Sequence, residues 1–311
     1  MPATFAPMRH SRYDIISHVI AFTKNSTGLP VFALLLAATL WGVFWYPLRL
    51  LEGAGLTGLG ATLLIYIGAS LHLLYFLRGR FGEFRAHPVA IALLAISGGW
   101  CNIAFILAML DGNVVRVLLL FYLSPIWTSL LAVWILGERL DRVSLFILFI
   151  ALVGAITMLW QPALGAPWPQ DNADWLALSS GFTFAISNIV VRKLSHVSIQ
   201  TKTTSTWLGV LVITLCGLAL TNTGMGHVEM PVVLVAVVIG FIGMYLMTMS
   251  VQYGVSHMPA HRSAIILLFE LVAGAVSAYL LTNESISMLE WLGGSLVILA
   301  ALGTARRHVN D

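Results

Sequence analysis

The sequence predicts an all-α integral membrane protein with ten transmembrane helices arranged as two inverted five-helix repeats. Three observations predict it. The 311 residues are 59% hydrophobic and only 9% charged, with a mean hydropathy of +0.92. Apolar runs near the bilayer-spanning length of about 20 residues recur along the chain. The basic residues fall on one side of the alternating connections. A soluble domain carries roughly 25% charged residues to face water, so a chain this poor in charge must present much of its surface to lipid.

The apolar runs lie at about 29–50, 57–77, 88–110, 114–136, 143–160, 173–191, 204–221, 230–253, 259–281 and 288–305. Short connections with turn residues separate them, such as Asp111-Gly112-Asn113 and Asn283-Glu284-Ser285. The longest, Gln161 to Asn172, is rich in proline and divides the chain nearly in half. The expected organisation is an N-terminal tail (1–28), a first repeat (29–160), a linker (161–172), a second repeat (173–305) and a C-terminal tail (306–311). Asp14 and His18 interrupt the only apolar patch before residue 28, which argues against a cleavable signal peptide.

Lys and Arg accumulate on the cytoplasmic side of membrane helices. With the N-terminus inside, fourteen of the 16 basic residues fall inside, and only Arg49 and Arg116 fall outside. Both termini are therefore expected in the cytoplasm and the linker outside. The basic residues form no continuous face for nucleic acid. Cys101 and Cys216 lie in apolar runs, and the nine histidines show no ligand spacing. No metal, cofactor or catalytic cluster is expected.

Five helices per half place the second half in the opposite direction. Arg116 and Arg262, Ala132 and Ala278, and Glu138 and Glu284 are each 146 positions apart. Arg49 and Arg192, at the ends of helices 1 and 6, are 143 apart. Two inverted halves can rock around a site at the midplane and expose it to each side in turn.

The stretch from Ala108 to Pro125, AMLDGNVVRVLLLFYLSP, resembles the third-to-fourth helix hairpin of the drug/metabolite transporter superfamily, in its EamA-like branch. Ile135-Leu136-Gly137-Glu138-Arg139-Leu140 is similar to the family's helix-4 ending, and Trp41-Gly42-Val43-Phe44 is also family-like. The resemblance covers residues 30 to 305. It implies a central cavity lined by helices 1, 3, 4, 6, 8 and 9, and export or exchange of small metabolites such as amino acids without ATP hydrolysis. Where the first half has Ser124-Pro125, the second has Glu270-Leu271. Lacking that proline, helix 9 is expected to be straighter than helix 4.

Glu270 is the foremost candidate for the site. A carboxylate in the middle of a membrane helix costs about 2.5–3.5 kcal/mol on insertion scales, so it is expected to face the protein interior. There it could exchange a proton during transport or pair with a substrate ammonium; a purely structural role would lock helix 9 to a neighbour. Arg116 and Arg262, each within a turn of a helix start, could bind a substrate carboxylate, or snorkel to the interface. Trp41, Asn102, Tyr122, Asn188 and Tyr245 lie on helices expected to line the cavity. Gly137 to Leu140 reads as a structural helix ending. Gly293, Gly294 and Ser295 permit close helix packing, within the chain or in a homodimer. The expected partners are a small-molecule substrate and the lipid bilayer of the cell inner or plasma membrane. A non-transporting scaffold or receptor, and a membrane-embedded lipid-modifying enzyme, are the competing classes.

Overall fold

The computed structural model describes residues 28–112, 114–160, 169–282 and 286–310. The N-terminal tail, most of the linker, Asn113 and Glu284 lie outside the described residues. Among the described residues every regular element is helical. Nine helices among the described residues are long and apolar enough to cross a membrane: α1 (Leu29–Gly53), α3 (Pro88–Met109), α4 (Arg116–Leu136), α5 (Arg142–Leu159), α6 (Asn172–Lys193), α7 (Ile199–Thr221), α8 (Met230–His257), α9 (Ala260–Leu281) and α10 (Met288–His308). Between α1 and α3 lies the shorter apolar helix α2 (Gly58–Ser70).

The run 57–77 was expected as one continuous helix, but α2 stops at Ser70 and one further turn forms at Leu73–Phe76. At this break the His72 ring stacks on Phe241, with centroids 4.2 Å apart, and its Nε2 lies 2.8 Å from the Phe241 carbonyl oxygen. Phe241 belongs to a π-helical segment of α8, Gly240–Met244. Such segments interrupt the regular helical hydrogen bonding, and His72, at the start of the turn after α2, meets one of its carbonyls. The C-terminal helix also departs from expectation, running on through Asn310 into the segment expected as a tail.

The packing repeats with a shift of five helices. In the second half α6 lies against α3 and α4, and in the first half α1 lies against α8 and α9. Likewise α7 packs on α3 as α2 packs on α8, while α4 meets α9, α2 meets α7 and α5 meets α10. Two intertwined groups result, α3, α4, α6 and α7 on one side and α8, α9, α1 and α2 on the other. Each draws helices from both halves of the sequence.

Close approaches pin these seams. A Cβ on Gly42 of α1 would lie 2.6 Å from the Glu270 carbonyl oxygen of α9. One on Gly293 of α10 would lie 2.5 Å from the Gly154 carbonyl oxygen of α5, so this small residue serves packing within the chain.

The expectation that α9 would be straighter than α4 is corrected. In α4 the helix is interrupted after Phe121 and resumes at Ser124. In α9 it is interrupted at Leu268 and resumes at Phe269. The two breaks coincide under the 146-residue shift. The Leu123 and Leu268 amides both bond three residues back, to Leu120 and Ile265, in a tightened turn. Pro125 accounts for the first break. The second keeps the shape without a proline.

Candidate functional site

Five helices bring polar side chains to their middles, at a common depth. Tyr66 is near the centre of α2, Cys101 and Asn102 lie in α3, Tyr122 at the break in α4, Ser180 in α6, and Glu270 just beyond the break in α9. The Tyr66 hydroxyl donates to Asn102 Oδ1 at 3.1 Å, and Asn102 Nδ2 donates to the Gly98 carbonyl at 3.3 Å. Ser180 Oγ donates to the Cys101 carbonyl at 2.7 Å. The Tyr122 hydroxyl is within hydrogen-bonding reach of the Glu270 carboxyl group. Glu270 itself is half-buried.

The two breaks place Tyr122 and Glu270. A shortened turn in each helix adjoins them, and Tyr122 packs in one core cluster with Leu268 and Leu271, which flank Glu270. Glu270 falls in the first turn of the resumed helix, where the dipole of the following peptide units favours negative charge. No basic side chain is paired with Glu270 in an ion pair among the described residues. The arrangement can hold a proton, or accept a cationic group offset by aromatic and hydroxyl neighbours.

The other expected site residues are dispersed. Arg116 is buried at the start of α4, with Nε 2.5 Å from Asp174 Oδ2 of α6. Asn188 is buried in α6, and its Nδ2 has no hydrogen-bond partner among the described residues. Tyr245 packs at 4.4 Å from the His72 ring beside the α2 break. Trp41 lies edge-on to Phe44 in α1, with ring centroids 5.6 Å apart, and packs against the α2–α7–α8 core. Arg262 occupies the first turn of α9, half-buried. Of the eight candidates, the structure pairs Glu270 with Tyr122 and sets Asn102 against Tyr66.

Sequence reasoning missed Tyr66, Cys101 and Ser180, none of which is charged. Their depth near the middles of apolar helices was the available signal. It also passed over the run Thr201 to Thr206, every member of which is buried except Thr206.

Two carboxylates outside the spans hold the ends of helices. Asp141 caps α5 by accepting the Ser144 amide at 2.9 Å, and its Oδ2 lies 2.6 Å from Arg307 Nη2 of α10. The Arg307 hydrogen bond, followed by those of Ser144, holds the Asp141 carboxyl far below the usual carboxylate range. Burial opposes the charged form of Glu138, but the His261 hydrogen bond, the Ala260 amide and Arg192 outweigh it and keep that carboxyl low as well. Groups with lowered folded pKa values contribute stability above their unfolded values, and the contribution disappears as pH falls through the folded ones. Thermal unfolding in detergent is therefore expected to show a flat melting temperature from about pH 5 upward and a decline below about pH 4. Arg307→Ala is expected to shallow that decline, and an unaltered acid limb would show that the Asp141–Arg307 pair adds nothing to it.

The EamA-like transporter family model matches residues 28–160 and again 172–306. Two matches, one per half, define the class: a multi-pass membrane transporter built of two repeats. The chain belongs to the EamA-like transporter family. An uncharacterized transporter of Pseudomonas aeruginosa is 25% identical over 182 residues, 56% of this chain. The aligned part spans 58% of that curated relative's length. A crystal structure of a protein superposes with a TM-score of 0.72 at 18% identity, covering 91% of this chain and 98% of that one, which shows a shared fold.

Proposed function

We propose that this chain is a secondary transporter that moves a small amphipathic metabolite, with amino acids the leading class, across the cell inner or plasma membrane by alternating access. Export is the favoured direction, and proton exchange at Glu270 is the proposed coupling. In this reading the segment from Gly58 to Phe76 makes a tenth crossing despite its break, and both termini lie in the cytoplasm. The observation that carries the proposal is Glu270 just past the break in α9, within hydrogen-bonding reach of Tyr122 at the break in α4. Intramembrane carboxylates are expensive and characteristically line substrate or proton pathways. Breaks at matching positions in α4 and α9 suit helices that flex around a central site.

The test is flux in proteoliposomes across a panel of amino acids and amines, with and without a pH gradient. Substrates are expected to include compounds with an ammonium group and an apolar body. Glu270→Gln keeps the shape and removes the charge, and is expected to slow net flux roughly tenfold or more, as loss of a charged hydrogen-bond partner predicts. Flux equal to the parent would remove Glu270 from the mechanism.

A further inference from the structure

The ends of α4, α6 and α8 and the beginnings of α7 and α9 meet at one end of the bundle. The end of α6, the end of α8 and the start of α9 are each answered by a side chain from another helix. Glu138, just past α4, accepts the Ala260 amide at 3.0 Å and lies 2.8 Å from His261 Nδ1, both in the first turn of α9. A carboxylate is favourable there, because the helix dipole leaves the N-terminus positive. Arg192, at the end of α6, donates Nη1 to the Ser256 carbonyl at 2.8 Å, near the C-terminus of α8, and its Nε is 3.6 Å from Glu138 Oε1. Lys202, in the first turn of α7, donates Nζ to Ser256 Oγ at 2.5 Å and to the Leu194 carbonyl that ends α6 at 3.2 Å.

These contacts differ in kind from the ion pair at the opposite end. Arg116 and Asp174 join α4 to α6, two helices of one packing group, and their side chains are only 8% and 1% exposed. The Glu138 contacts join α4 to α9, and those of Arg192 and Lys202 join α6 and α7 to α8. The contacts to Ala260, His261 and Ser256 cross between the two groups, whereas Glu138–Arg192 and Lys202–Leu194 lie within one of them. Glu138 and Arg192 keep 13% and 30% of their side chains exposed, so water can take over their hydrogen bonds when the ends part. Charge-assisted contacts are strong enough to hold a closed end, and those that reach water are replaceable.

We propose that Glu138, Arg192, Lys202 and Ser256 form the gate at this end of the transport path, latched in this structure. The proposal rests on the transporter reading above. It gives the Gly137–Leu140 ending a mechanical task, with no contact to substrate. Gate opening is separation of the α4 and α6 ends from the α8 end and the α9 start, with these contacts exchanged for water.

The experiment measures distance directly. Spin labels at Arg139→Cys and His257→Cys, two exposed positions flanking the gate, are introduced with Cys101 and Cys216 replaced by alanine. Distance distributions are recorded by pulsed electron resonance in lipid nanodiscs. Glu138→Gln and Ser256→Ala are each expected to enlarge a population longer by about 5 Å, the scale of a one-turn displacement. Glu138→Gln combined with Arg192→Gln is expected to shift the distribution no further than the stronger single change, as for residues acting in one unit. Distributions that stay at the parental distance in variants of lowered melting temperature would mean ordinary helix caps and overturn the gate. A lengthened distance without flux of any substrate would keep the latch and discard the transporter reading. Flux at parental distance would do the reverse.

Discussion

Gly209→Leu is expected to leave almost no folded protein in the membrane, the largest single-residue effect in the chain. Gly209 sits where α7 presses on α3, and a Cβ there would lie 1.9 Å from the Ala95 carbonyl oxygen and 2.5 Å from its carbon. The obstruction is backbone, so no rotamer change relieves it and the helices must separate. Their separation would also undo the reciprocal approach, in which a Cβ on Gly99 would stand 2.6 Å from Gly209 itself. Overpacking a filled interior costs about 1–3 kcal/mol and occasionally more. Here the contact is helix against helix, and association in lipid depends on such packing, so the cost falls at or above the top of that range. Gly240→Leu, whose Cβ would meet the Ile65 carbonyl oxygen at 1.8 Å, is expected to match it on the α2–α8 seam. Gly243→Ala is the control, because the nearest foreign atom is the Ile239 side chain at 3.9 Å. Yield and monodispersity after detergent extraction check the series. A monodisperse Gly209→Leu protein at parental yield would refute the close packing of α3 and α7.

The spans were legible because hydrophobic length is a local property. From Leu29 to Gly53, or Arg142 to Leu159, composition alone demands a helix in lipid. The break at Ser70 was not, since it is fixed by the His72 ring meeting Phe241 some 169 residues away. In α4 the interruption is written locally in Ser124-Pro125. At Leu268 it is not, since no proline or glycine marks the turn. Repeat symmetry was the clue to that second break, and the missing proline argued against using it.

The candidate site was legible in proportion to charge. Glu270 stood out because a carboxylate in an apolar helix has no cheap explanation. Tyr66 and Ser180 did not, since isolated hydroxyls are common in membrane helices and only their partners on α3 reveal the cluster. Lys202 was read as one more basic residue on the inner side, and its complete burial against Ser256 depends on the arrival of α8. Arg116 was singled out, but nothing in the sequence said that it meets Asp174, 58 residues further on.

That meeting sets the second large expectation. Asp174→Leu is expected to cost about 3–5 kcal/mol, the range for removing one partner of a buried pair. The Arg116 guanidinium would lose the carboxylate 2.5 Å away while remaining only 7% exposed. Asp174 Oδ2 also accepts the Gln170 amide at 2.8 Å, so the same change loosens the lead into α6. Arg116→Met is expected to cost nearly as much from the other side, since it leaves the carboxylate buried. The double variant Arg116→Met with Asp174→Leu is expected to recover much of the loss, because two apolar side chains bury no charge, and a coupling of about 1–3 kcal/mol should separate it from the sum of the singles. Unfolding in mixed micelles, followed by helical signal, measures all three. Losses that simply add would mean that the two residues act apart. In that case Arg116 would return to consideration as a ligand for a substrate carboxylate. A strong coupling assigns it to holding α4 against α6.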